Sequence, residues 1–117
     1  MQGEIFLVNR QTFIERLRAW AMRADNEVLE SHGTGKLAWQ GQAAVLHSLA
    51  SVVASSGTTN DAQALRQQII ADRQKALAAW NEERDPAHAA TVTGEVQAYE
   101  LVLDLLKDVE SWTVATR

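Results

Sequence analysis

Gly41-Gln42-Ala43-Ala44-Val45-Leu46, carried on by Leu49, Val52 and Val53, is a pattern that this chain writes twice. The second copy is Gly94-Glu95-Val96-Gln97-Ala98-Tyr99, carried on by Val102, Leu105 and Leu106. In both, apolar residues return every three or four positions, as they do on a helix with one buried face. Each copy follows an amphipathic segment and a short polar turn, so each reads as the second arm of a helical hairpin. The fold class expected is all-α: two consecutive helical hairpins, about 9–55 and about 60–112, forming a four-helix bundle or intertwining with a second chain. The copies share pattern rather than identity. Four independently patterned helices can also produce such a likeness, so duplication stays open at this point. A glycine inside a helix costs about 1 kcal/mol relative to alanine. Gly41 and Gly94 are therefore expected where two helices approach closely, or within a first turn.

Working outward, Phe13, Leu17, Trp20, Ala24 and Val28 recur at helical spacing and predict a first helix over 12–31. Asn9, with Val8 and Phe13 as a hydrophobic staple, or Thr12 with Glu15, would cap its start. Gly33 would stop it. A second helix is expected over 36–55. Between Lys36 and Asp61 there is no Asp, Glu, Lys or Arg. A helix without charge on any face is usually buried on more than one side, and in so short a chain the second side is expected to be a partner subunit. Ser55-Ser56-Gly57-Thr58-Thr59 reads as a loop. A third helix over 60–84 carries Ala62, Leu65, Ile69, Ala76 and Trp80. Asp85-Pro86 is a strong start signal for a fourth over 86–112. Ile5-Phe6-Leu7-Val8 and the tail from Trp112 to Thr116 have β character instead. The expected core is Trp39, Leu46, Leu49, Val53, Leu65, Ile69, Trp80, Ala98, Val102 and Leu105.

A chain of 117 residues with 46% apolar and 22% charged residues is read as a single globular domain, 1–117. With no cysteine there is no disulfide framework, thiolate metal site or cysteine nucleophile. That composition, and an opening Met1-Gln2-Gly3-Glu4 without a basic n-region, lead to the expectation of a cytoplasmic protein. No stretch has the length of unbroken apolar sequence that spans a membrane, so no membrane partner is expected. The net charge of −4 makes nucleic acid an unlikely partner, because phosphate binding needs clustered Lys and Arg.

Several constellations suggest chemistry, and each has a plainer structural reading. His32-Gly33-Thr34-Gly35-Lys36 ends like a phosphate-binding loop, but Leu37 follows the lysine where Ser or Thr is required. Glu27 and Glu30 share a helix face, the arrangement by which all-α nucleotide pyrophosphohydrolases bind magnesium. That family needs a second acidic pair, and Glu100 with Asp104 has the wrong spacing. Glu82, Asp85 and His88 are spaced by three, but Pro86 interrupts their face and capping explains Asp85 better. His47 is the only ionisable group of the uncharged helix and is expected at a boundary with a hydrogen-bonding partner. No catalytic residue, metal ligand or cofactor is assigned. The four tryptophans fall one to a helix: Trp20, Trp39, Trp80 and Trp112. Trp20 is flanked at helical spacing by Arg16 and Arg23, and the first helix is basic through Arg10, Arg16, Arg18 and Arg23. The segment from Asp85 onward is acidic, which would let the first and last helices pack together or guide assembly between subunits.

A polar turn, then Gly-[Gln/Glu] and a helix patterned as Ala98-Tyr99-x-x-Val102-x-x-Leu105-Leu106, resembles small helical-hairpin proteins of phages and other mobile elements. The resemblance covers the second arm of each hairpin. It implies a compact accessory protein that acts by binding, and it carries no functional residues over. The function expected is therefore a non-catalytic protein-interaction module, in its most specific form an inhibitor of a host defence system such as an anti-CRISPR protein. The interaction surface expected is Arg16, Trp20, Arg23, Gln40, His47, Ser48 and Ser51, with homodimerisation through the second helix and an unknown protein partner. The alternatives are a small metal-dependent nucleotide hydrolase using Glu27 and Glu30, and a nucleic-acid-binding accessory protein using the Arg10–Arg23 face.

Overall fold

The computed structural model describes residues 10–55, 62–82 and 84–106. They form four helices: α1 (Arg10–Glu30), α2 (Gly33–Ser55), α3 (Ala62–Glu82) and α4 (Pro86–Leu106). The described residues are all-α, two consecutive hairpins in one helical bundle, as the repeated pattern predicts. The strand-like segments at 5–8 and 112–116, the Asn9 cap, the loop over 56–59, the caps of α3 and Trp112 lie outside the described residues.

Local chemistry fixes both hairpin turns. Gly33 has φ +61°, the left-handed conformation that a glycine adopts without steric cost. Beside it, the Ser31 amide donates to the Val28 carbonyl at 3.4 Å, closing the last turn of α1. The Lys36 amide donates to His32 at 3.3 Å, so α2 begins at Gly33, ahead of the expected Lys36. At the second turn Asp85 caps α4 as its sequence position predicts. Its Oδ1 accepts from the Ala87 amide at 3.1 Å and its carbonyl from the Ala89 amide at 2.9 Å. Pro86 occupies the first helical position, where its missing N–H has no partner to lose.

α2 and α4 form the central pair. α1 packs on α2, and α3 on α4. The core joins all four helices: Phe13, Ile14, Leu17 and Ala21 from α1; Val45, Leu46, Leu49, Ala50 and Val53 from α2; Leu65 and Ile69 from α3; Ala98, Val102 and Leu106 from α4. This arrangement accounts for the uncharged second helix. It is covered on one side by α1 and on another by α4 of the same chain, so a partner subunit is not needed to bury its second side. α1 and α4, whose opposite charges suggested pairing, are not principal neighbours.

The two glycines mark where α2 and α4 meet. A methyl group on Gly41 would collide with the Thr91 carbonyl, and one on Gly94 with the Ala38 carbonyl. Thr91 precedes Gly94 by the same interval as Ala38 precedes Gly41, so the contact is reciprocal. The numbering shift that carries Gly41 to Gly94 also carries Val45 to Ala98, Leu49 to Val102 and Val53 to Leu106, and all of these residues are buried. In the first arms, a second shift carries Leu17 to Leu65 and Ala21 to Ile69, again buried residue to buried residue. The second arms of the two hairpins thus meet reciprocally through matching residues. The repeat seen in the sequence is a repeat of packing.

Three expected core residues are placed differently. Trp80 is 45% exposed, because α3 supplies fully buried residues only from its first half. Trp39 and Leu105 are half-buried. Leu106, the neighbour of Leu105, is the residue that points into the core with no exposure.

Candidate functional site

The first arm of each hairpin leaves an open groove against the second. Groove one, between α1 and α2, has a volume of about 500 Å³ and is lined by Asp25, Val28, Leu29, Gln40, Ala43, Ala44 and His47. Groove two, between α3 and α4, has a volume of about 260 Å³ and is lined by Leu77, Trp80, Thr93, Val96, Gln97 and Glu100. The shift that relates the glycines carries Gln40 to Thr93, Ala43 to Val96, Ala44 to Gln97 and His47 to Glu100. Every α2 residue of groove one therefore has its counterpart in the α4 wall of groove two. On the first arms, the shift that carries Leu17 to Leu65 also carries Leu29 to Leu77 and Asp25 to Arg73. The small side chains of Ala43 and Ala44 leave groove one roomy. Trp80 partly fills groove two.

A polar tie crosses each hairpin at the same place. His47 Nε2 lies 2.9 Å from Asp25 Oδ2 in the first, so His47 has the hydrogen-bonding partner its sequence context required. Arg73 donates from Nε at 3.2 Å and from Nη2 at 2.7 Å to Glu100 Oε2 in the second. The carboxylate stands on the first arm in one hairpin and on the second arm in the other. Both ties are solvent-accessible, so each adds little stability. Each tie links the two helices that wall its groove.

Large apolar side chains stand exposed beside these ties. Leu29 is 80% exposed at the rim of groove one, and Trp80 stands out along groove two. Exposed apolar surface gathered in a concave place marks an interaction site more often than scattered surface leucines do, and tryptophan is enriched among residues that dominate binding energy.

The expected interaction residues fall into two sets. Gln40 and His47 line groove one, and Ser48 and Ser51 are exposed along the same helix. Arg16, Trp20 and Arg23 belong to neither groove. The Arg16 guanidinium lies 6.0 Å from the centroid of the Trp20 ring, and Trp20 is half-buried against the core. Asp25, Val28, Leu29, Ala43 and Ala44 of groove one, and Leu77, Trp80, Thr93, Val96 and Gln97 of groove two, were not expected as site residues, and Glu100 was weighed only as a metal ligand. The signal for the α4 wall was present: aligning the two glycines sets its residues opposite Gln40 and His47.

The hydrolase candidates are not brought together. Glu27 and Glu30 stand on α1, whereas Glu100 is tied to Arg73 on α3. Among the described residues no three His, Asp or Glu side chains gather as a metal site. No helix of the described residues is long and apolar enough to cross a membrane.

One ionisable side chain at the core edge is clearly perturbed. Burial of the Tyr99 phenol, then the negative charges of Asp72 and Glu95, hold its proton more tightly than usual. The folded-state value is raised above the unfolded one, about 10. The contribution of this group to stability is thus complete below pH 10 or so and is lost as pH rises through the folded value. Urea midpoints should therefore fall from pH 9 to about pH 11, and Tyr99→Phe should flatten that fall. An identical fall in Tyr99→Phe would assign the alkaline loss to other groups.

Comparison of the chain with protein-family models, curated proteins and solved structures finds no match.

Proposed function

We propose that this chain is a non-catalytic protein-interaction module that docks its partner in the grooves of its two hairpins. The observation that carries this reading is the matched pair of open apolar grooves, walled by equivalent residues of α2 and α4 and bordered by Leu29 and Trp80. Such surface is costly to leave in water and gains free energy when a partner covers it. An accessory role, including inhibition of a defence system, is one setting for binding of this kind. Self-association is a second reading. Its surface would be the exposed arc Gln40, His47, Ser48 and Ser51 of α2, which carries no lysine, arginine or carboxylate.

The test is affinity capture from a native lysate with three baits: the unmodified protein, Ala44→Arg and Gln97→Arg. Both positions are exposed and equivalent in the two grooves, so the bundle should stand in both variants. A partner held by the unmodified protein and lost from either variant supports the reading. A partner held equally by all three baits places the interaction elsewhere on the molecule.

A further inference from the structure

We infer that each groove takes a basic amphipathic helix, so that one molecule holds two such helices. This inference rests on the interaction-module reading and specifies the chemistry of the partner.

The case for a helix comes from the shape of the wall. Gln40, Ala43, Ala44 and His47 have the i, i+3, i+4, i+7 spacing of one helix edge, and so do Thr93, Val96, Gln97 and Glu100. Ridges of that spacing interdigitate with those of another helix. The apolar lining, Val28 and Leu29 or Leu77 and Val96, suits the apolar stripe of an incoming segment.

The case for positive charge comes from the carboxylate in each groove. Asp25 and Glu100 are both half-exposed, and each is tied through one oxygen only: Oδ2 to His47, and Oε2 to Arg73. Among the described residues, Asp25 Oδ1 and Glu100 Oε1 accept no hydrogen bond. Neither groove has a lysine or arginine in its lining. A Lys or Arg on the incoming helix therefore finds an acceptor beside an apolar floor in both places, more weakly in groove two, where Arg73 already shares the Glu100 carboxylate, whereas a Glu or Asp meets the Asp25 carboxylate in groove one. The net charge of −4 acts in the same sense over longer distances. The shared spacing of the α2 and α4 walls supplies the stoichiometry, because a ridge that fits one wall meets the same spacing on the other.

The test is calorimetric titration of the full chain with two synthetic peptides of about 18 residues, roughly five helical turns. Both carry a leucine stripe. One has lysines flanking the stripe and the other has glutamates. The lysine peptide should bind with two sites per chain, at least about tenfold tighter than the glutamate peptide at low salt, with the advantage shrinking as salt is added. Ala44→Arg and Gln97→Arg should each leave one site. Asp25→Asn and Glu100→Gln should keep both sites while reducing the preference for lysine. Equal affinity for the two peptides, a single site in the unmodified protein, or no binding of the lysine peptide would overturn the inference. Equal affinity together with loss of sites in the groove variants would overturn the charge preference and leave the module reading standing. That reading fails separately, when captured partners ignore both groove variants.

Discussion

Gly94→Ala is expected to lower the stability of the bundle by about 2 kcal/mol or more, although alanine is the better helix former. The added methyl group would meet the Ala38 carbonyl, which is backbone and cannot rotate aside. α2 and α4 must then separate, and the buried contacts around Val45 and Ala98 loosen with them. Gly41→Ala should behave in the same way, since its methyl would meet the Thr91 carbonyl. Gly35 supplies the control. It lies in the first turn of α2 with nothing within 4 Å of an added Cβ. Gly35→Ala should be neutral or stabilising by up to about 1 kcal/mol. Urea denaturation followed by circular dichroism measures all three. Gly94→Ala as stable as the unmodified protein would mean that the central helices do not meet at these glycines.

Leu46→Ala should cost about 2–5 kcal/mol, the range for a fully buried leucine. Leu46 has no solvent exposure and lies in the cluster that joins all four helices. Leu105→Ala should cost less than half as much, because Leu105 is half-buried at the edge of that cluster and truncation leaves no closed cavity. The contrast tests the assignment of faces more sharply than either value alone. Equal losses at both positions would mean that the inward face of α4 is wrongly drawn, and a loss below about 0.5 kcal/mol at Leu46 would do the same for α2.

Much of this fold was legible in the residues. Helix number and order followed from apolar periodicity, because a helix that buries one face must place apolar residues every three or four positions. Gly33 and Asp85-Pro86 were legible because stop and start signals are local and depend on few neighbours. The missed features are non-local. Periodicity assigned Trp80 to the inward face of α3, but it does not show how far along α3 the fully buried core extends. The lack of charge on α2 correctly indicated two covered sides. It did not distinguish α4 from a second chain, since both present the same apolar surface. The grooves were hidden for a related reason. Ala43 is buried and Ala44 exposed, yet in the sequence both read as ordinary members of a helical stripe. A concavity depends on what the neighbouring helix leaves uncovered.

The pattern repeated in the sequence has three correspondences in space. The glycines oppose each other reciprocally, the α2 and α4 walls of the grooves match residue for residue, and both polar ties use His47 or its counterpart Glu100. The last pair exchanges a histidine for a carboxylate, and the opposite arm exchanges Asp25 for Arg73. Equivalent geometry with exchanged chemistry explains why the two copies share pattern and little identity.

Hydrogen exchange on the complex of this chain with its captured partner tests the central claim most directly. Slowed exchange is predicted in the two matched segments, 40–47 of α2 and 93–100 of α4, relative to the free protein. Protection confined to the Arg16–Arg23 stretch of α1, with both matched segments exchanging as in the free protein, would contradict docking in the grooves.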